Sequence, residues 1–288
     1  MSARRRCVRG VEIAWEERGE GARPFVLLHG FTGFRDDFAT QMEALAAAGR
    51  TLAPDLPGHG ASGRHADPAR YTLDALAEDL RAWLTAVAPE QPVDLLGHSM
   101  GGMLALRIAL AEPARVASLV LMDTSAGPLA HVDRGLLETA ARLAREAGTK
   151  ALAAVLRARA ADDPERGEPD RRVERTWGAE RFWAWRTARV EATDPLAYEV
   201  LGAQMLDAPD LEPRLGGIAV PALVLVGAED GPFLEPARVL AEGLPAARYV
   251  AIPGAAHQPQ HESPEAWREA VRGHLARVRG RSRAPSSG

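Results

Sequence analysis

The chain predicts an α/β fold, a mostly parallel sheet covered by helices on both faces and broken by one helical insertion. Three observations carry this reading. Short, nearly continuous apolar runs end in Gly, Pro or Asp, as strands buried on both faces do. Helix-like stretches separate these runs, and such alternation implies parallel strands joined by right-handed crossovers. From about Gly127 to Gly217 the alternation stops, and the chain becomes rich in Ala, Leu, Arg and Glu with no convincing buried strand.

Taken in order, "VEIAWEERG" alternates and reads as an early strand, in a hairpin with the residues before it. "PFVLLHG" (Pro24–Gly30) is a buried strand, followed by a helix over about Asp37–Ala48. "RTLAPDLPGHG" gives a strand running into a loop, and Leu73–Val87 a helix. "PVDLLGHS" is the next strand, Met100–Glu112 its helix, and "RVASLVLMD" a further strand. The insertion contains a polar break, "ADDPERGEPD" (Ala161–Asp170), followed by Trp177, Trp183 and Trp185. These tryptophans suit the core of a cap, and one or two of them suit the wall of an apolar pocket. "VPALVLVGAED", a helix over Pro236–Gly243, "ARYVAIPGAAH" and a helix over Pro264–Val278 complete the pattern. Ser263 can cap the last helix, with Pro264 at its first position. The predicted organisation is a core of residues 1–126 and 218–279, a helical cap at 127–217 and a disordered basic tail at 280–288.

A length of 288 residues suits one α/β domain with an insertion, and 46% hydrophobic residues supply a sizeable core. A formal net charge of −4 gives no general attraction to nucleic acid or an anionic membrane. Cys7, near what reads as a frayed terminus, is the only cysteine, so no intramolecular disulfide forms. The basic opening "MSARRRCVRG" is followed by no apolar signal-peptide core, and no run is long enough for a membrane span. The expected location is cytoplasmic and the expected partner a small-molecule substrate.

The chemistry concentrates in "DLLGHSMGG". Gly97-His98-Ser99-Met100-Gly101 fits G-x-S-x-G between a predicted strand and a predicted helix, the context of a nucleophile elbow. There a strained serine projects its Oγ from the top of the sheet, while small neighbours let strand and helix approach. A serine hydroxyl needs a base. His257, in the small-residue loop after the last strand, is the favoured base, with His261 as a neighbour or surface residue. Asp230 after "LVLVGAE" is the favoured acid, with Glu229 and Asp123 as alternatives. Ser99…Asp230…His257 is the nucleophile–acid–base order of one fold. The backbone N–H groups of Met100 and of Phe31, in "HGFTG", are the candidate oxyanion donors. His29, His98 and His59 read as structural residues that bond local backbone, and Asp55 as a loop fastener. His65, His131 and His274 stand alone. No cluster has metal-ligand spacing, and no G-x-G-x-x-G or P-loop is present. Phe34, Met103, Trp183 and Phe233 are candidate pocket residues.

"HGFTG", "DLPGHGAS", "GHSMGG", "LVGAED" and "IPGAAHQPQHESPE" together resemble the α/β-hydrolase fold superfamily over about residues 8–279. The resemblance implies a sheet of about eight strands, a helical cap after the sixth, and a cofactor-free Ser-His-Asp enzyme. Serine at position 99 disfavours the members with an aspartate nucleophile. "HGFTG", "RYT" and "SMGG" are similar to the menaquinone-pathway synthase, a lyase. That enzyme usually has arginine where Met103 stands and tyrosine where His98 stands. Enol-lactonases, small-ester hydrolases and cofactor-free haloperoxidases look similar too, whereas the "HGGGPG" loop of carbon–carbon bond hydrolases is absent. Hydrolysis of a small carboxylic ester or lactone is the expected activity; the lyase, the haloperoxidase and a non-catalytic receptor are the rivals.

Overall fold

The computed structural model describes residues 3–89, 91–164 and 166–281. Its strands are β1 (Arg4–Val8), β2 (Val11–Arg18), β3 (Phe25–Leu28), β4 (Thr51–Pro54), β5 (Val93–His98), β6 (Val116–Met122), β7 (Ala222–Gly227) and β8 (Ala247–Ile252). They form one sheet in the order β1-β2-β4-β3-β5-β6-β7-β8. β2 runs antiparallel to both neighbours, and all pairings from β4 to β8 are parallel. β3, β5 and β7 are buried along their whole length. That is why the sequence shows them as unbroken apolar runs. Side chains alternate between two cores. Leu95, Leu119, Leu121 and Val224 face one, and Leu96, Val120, Met122 and Leu225 face the other.

Helices α1 (Ala39–Ala46), α2 (Leu73–Val87) and α3 (Met100–Ala111) lie within the first part of the chain. Phe38, Met42 and Leu45 around α1 fill one core, and α2 and α3 fill the other. Thr72 caps α2 through a bond from the Ala75 N–H (3.1 Å), and Leu76, Leu80 and Trp83 then recur on its buried face. Each such side chain contributes roughly 2 kcal/mol when fully buried. Between β6 and β7 stand five helices: α4 (Arg134–Ala147), α5 (Thr149–Ala161), α6 (Glu168–Trp177), α7 (Ala179–Glu191) and α8 (Pro195–Leu206). α9 (Gly231–Gly243) follows β7, and the short α10 (Pro259–Glu262) leads into α11 (Pro264–Arg281), which buries Trp267, Val271 and Leu275 against the core of α1.

Several local expectations are corrected. Cys7 is not in a frayed end: it is an exposed residue of β1 in register with Glu12. The helix expected from Asp37 begins as a 3-10 turn over Arg35–Phe38. α9 starts at Gly231 rather than Pro236, because Pro232 supplies the first-turn proline and Pro236 lies inside the helix. The Ser263 hydroxyl donates to the Pro253 carbonyl (2.8 Å), and among the described residues it accepts no bond from an N–H of α11. Of the tail expected over 280–288, Gly280 and Arg281 belong to α11, and residues 282–288 lie outside the described residues. Among the described residues no helix is long and apolar enough to cross a membrane.

Candidate active site

Ser99 sits where β5 turns into α3, with φ 51° and ψ −119°. A β-carbon in this region of backbone space costs about 1–3 kcal/mol, and its surroundings must hold it there. The Ser99 N–H donates to the Met122 carbonyl (2.9 Å), and the Thr124 hydroxyl donates to the Ser99 carbonyl (2.6 Å). The glycines of the motif are there for close approach. A β-carbon on Gly97 would lie 2.3 Å from the Gly101 carbonyl oxygen, and one on Gly101 would lie 2.4 Å from that of Leu28. Only small residues let α3 start so close to β3 and β5.

His257 lies in the loop after β8, and its Nδ1–H donates to Asp230 Oδ2 at 2.8 Å. This bond leaves Nε2 as the basic nitrogen. Asp230 ends the β7 loop and is 6% exposed, whereas Glu229 beside it is exposed. Ser99 and His257 line one cavity of about 360 Å³, together with Gly30 and Phe31. Much of its remaining wall is apolar, from Leu129, Val132, Leu137, Met205, Leu206 and Phe233, and His131 and Arg189 also line it. Phe233 packs its ring 4.7 Å from that of His257. The helices between β6 and β7 thus cover the serine. Among the described residues neither the Phe31 nor the Met100 N–H has a hydrogen-bond partner, so both are available to an anion. A β-carbon on Gly30 would lie 3.1 Å from Ser99 Cβ, which shows how tightly the Phe31 loop abuts the serine.

Two other carboxyls shape the site. Asp123, at the end of β6 with φ 45°, accepts from the Gly227 N–H at 2.8 Å. Burial and the neighbouring Asp230 carboxylate push its carboxyl well above the usual range, which favours its neutral form. Asp123, Asp230 and His257 bring one ligand atom each within 4.8 Å of one another. This cluster has the donor set of a small cation site, which the sequence spacing did not reveal; the His257–Asp230 bond already commits one of its nitrogens. Glu262 Oε2 accepts from the N–H groups of Ala256 (2.6 Å) and Gln258 (3.1 Å), the two residues flanking His257. Burial pushes Glu262 up to about 7 despite these two donors.

The other histidines divide. His29 donates from Nδ1 to the Gly30 carbonyl (2.9 Å) and accepts from the Leu56 N–H (3.0 Å). His59 contacts the Pro57 carbonyl (3.2 Å), and Asp55 accepts from the Arg35 and Ala61 N–H groups (2.7 and 2.8 Å), as a loop fastener does. His98 departs from its expected local role: its Nε2 reaches the His257 carbonyl at 2.8 Å, and burial keeps the ring neutral. It therefore braces the His257 loop from β5. His261 is not a surface residue; it is 7% exposed and meets Trp177 and Trp185 edge-on, each with ring centroids 4.9 Å away. His65 does not stand alone but bonds Asp79 (2.8 Å), and His131 lines the cavity beside Phe233.

Of the four candidate pocket residues, Phe233 lines the serine cavity. Trp183 packs with Phe182 and Val173 and lines a neighbouring chamber instead. Met103 is 1% exposed, belongs to the hydrophobic core and does not line the cavity. Phe34 flanks the Arg35–Phe38 turn and is not part of the cavity wall. Sequence reasoning missed Glu262, His131 and Arg189. The carboxylate of Glu262, five residues after His257, was a usable signal. Arg189 is one of many arginines of the insertion, and nothing local marks it.

A family model for the alpha/beta hydrolase fold matches residues 23–264. The chain belongs to the α/β-hydrolase fold family. It is 32% identical to a pimeloyl-[acyl-carrier protein] methyl ester esterase of Edwardsiella ictaluri, over 88% of this chain and 93% of that one. A shorter match, 42% identical over 119 residues, is to the dihydrolipoyllysine-residue acetyltransferase component of the acetoin cleaving system of Pseudomonas putida; the chain spans 31% of that protein's length. Among solved structures, the enol-lactonase of Burkholderia xenovorans is 28% identical with a TM-score of 0.78, over 95% of this chain and all of that one. This α/β-hydrolase is thus an enzyme with esterases and lactonases among its relatives.

Proposed function

We propose that this α/β-hydrolase cleaves small carboxylic esters or lactones through an acyl-enzyme. The observation that carries the reading is the 2.8 Å His257–Asp230 bond next to a strained Ser99 in one covered cavity. Ser99 Oγ attacks the carbonyl carbon while His257 Nε2 takes its proton. The N–H groups of Phe31 and Met100 hold the oxyanion, each worth roughly 3 kcal/mol of barrier. The alkoxide leaves with the proton from His257. Water, deprotonated by the same nitrogen, then attacks the acyl carbon and frees Ser99. Asp230 fixes the tautomer and stabilises the imidazolium. Residues 127–217 act as the cap that shapes the substrate cavity.

The test is a fluorophosphonate probe followed by intact mass and peptide mapping. A single adduct on Ser99 that disappears in His257→Ala, with hydrolysis lost by about 10³-fold or more in Ser99→Ala, supports the mechanism. Full activity in Ser99→Ala removes it.

A further inference from the structure

A second chamber, of about 440 Å³, opens beside the serine cavity. The two share Phe31, Arg189 and His257 in their walls, so they meet at the reacting centre. They differ in charge: both walls carry apolar side chains, but arginines are concentrated in the second. The serine cavity is lined mainly by aliphatic side chains and Phe233, whereas the second chamber is lined by Arg157 and Arg159 of α5 and Arg186 and Arg189 of α7. The acid in its wall is Asp163. Arg186 is paired with Asp170 (2.6 Å), but among the described residues neither Arg157 nor Arg159 is in an ion pair. Arg157 lies over the Trp183 ring at 6.0 Å.

Arg189 is the innermost of the four. Its side chain is 13% exposed and lies over Trp185, with the guanidinium carbon 4.9 Å from the ring centroid. Its acidic neighbour is the buried Asp37 at 3.3 Å, and its Nε has no hydrogen-bond partner. A guanidinium kept so far from water, with a donor unspent, gains most from an anion brought to it by the substrate. A neutral ester would leave this charge where it is and gain nothing from it.

We propose that the chamber beside His257 takes the anionic end of the substrate, so that the enzyme favours esters with an apolar arm and an arm ending in a carboxylate or phosphate, held by Arg189. This rests on the ester-hydrolase reading above. The anion enters past Arg157 and Arg159, the carbonyl lies at Ser99, and the apolar arm fills the cavity under α4 and α8. The aromatic face of Trp185 holds the Arg189 guanidinium in place for a two-pronged contact.

The test compares esters with isosteric ends. On the acyl side these are monomethyl glutarate, methyl 4-phosphonobutanoate and the neutral methyl 4-carbamoylbutanoate. On the alcohol side they are the butyrate esters of glycolate and glycolamide. In the wild type at least one anionic ester is expected to exceed its carboxamide counterpart about tenfold or more in kcat/KM, and carboxylate against phosphonate identifies the preferred group. Arg189→Gln brings that ratio to near one, Arg189→Lys restores part of it, and Arg157→Gln, at the rim, lowers it without touching the buried Asp37 pair. Equal turnover of anionic and neutral esters overturns the proposal, and so does an anionic preference unchanged in a folded Arg189→Gln; if Arg189→Gln does not fold, an anionic preference unchanged in Arg157→Gln overturns it. If no ester of any kind is turned over, the ester-hydrolase reading fails, and binding decides the inference alone. Glutarate or phosphate should then bind the wild type in calorimetry and bind Arg157→Gln and Arg189→Gln more weakly; no binding, or equal binding, overturns it.

Discussion

The Asp123–Asp230 pair makes a quantitative prediction about the acid of the site. Asp230→Asn removes the carboxylate that accepts from His257, and in a Ser-His-Asp site the loss of that acid alone costs about 10⁴-fold in kcat. Here a second carboxyl stands ready. Asp123 has an oxygen within 4.8 Å of both Asp230 and His257. Two charges at that separation and an effective dielectric near 20 repel by about 3 kcal/mol, and this repulsion adds to burial in raising Asp123 toward its neutral form. Asp230→Asn lifts the repulsion, and Asp123 can then ionise and serve His257 in its place. Asp230→Asn should therefore lose only about 10²-fold, and Asp230→Asn with Asp123→Asn should fall by roughly a further 10–100-fold. Asp123→Asn alone should change kcat little, because Asp230 still holds the histidine. The assay is single-turnover hydrolysis of an activated ester at pH 8 for the four proteins, with circular dichroism to confirm folding. Additive losses, or a double variant as active as Asp230→Asn, would refute the reasoning.

Other consequences are as direct. Glu262→Ala leaves the N–H groups of Ala256 and Gln258 without their shared acceptor; stability should fall by about 2–3 kcal/mol in urea titrations, hydrolysis should drop with it, and Glu262→Gln should recover most of both. Gly101→Ala puts a β-carbon 2.4 Å from the Leu28 carbonyl oxygen and should cost about 2–3 kcal/mol, whereas Gly273→Ala in α11 meets nothing within 4 Å and should stabilise the protein by up to about 1 kcal/mol. Burial lowers the His59 imidazole to about 4, so the unfolded chain takes up its proton first as pH falls. Its contribution to stability is complete above about pH 6.5 and declines by roughly 3 kcal/mol as pH falls to 4. Urea midpoints for the wild type and His59→Gln at pH 7.5 and 4.5 read this directly, and the variant should lose less on acidification. Asp37 and Glu262, raised by burial to about 6 and about 7, act in the opposite sense, each contribution declining as pH rises from the usual carboxylate range toward those values.

The parts of this protein that the sequence determined are those in which local pattern and tertiary role coincide. β3, β5 and β7 are buried on both faces, so their hydrophobicity cannot alternate and the runs are visible. Ser99 was legible because its backbone strain demands small neighbours in a fixed order, and Asp230 and His257 because each lies in the loop that follows a strand. The tertiary structure decided everything that depends on which side of a helix meets which neighbour. Met103 has the composition of a pocket residue but is buried in the core, while His131 and Arg189 carry no local mark and reach the site only because α4 to α8 fold over it. His98 and Glu262 brace the His257 loop through bonds whose geometry exists only once β5, β8 and α10 are assembled. A nucleophile's turn is written in consecutive residues, whereas a substrate's surroundings are the sum of side chains far apart in sequence, and their spacing along the chain holds no information about their distance in space.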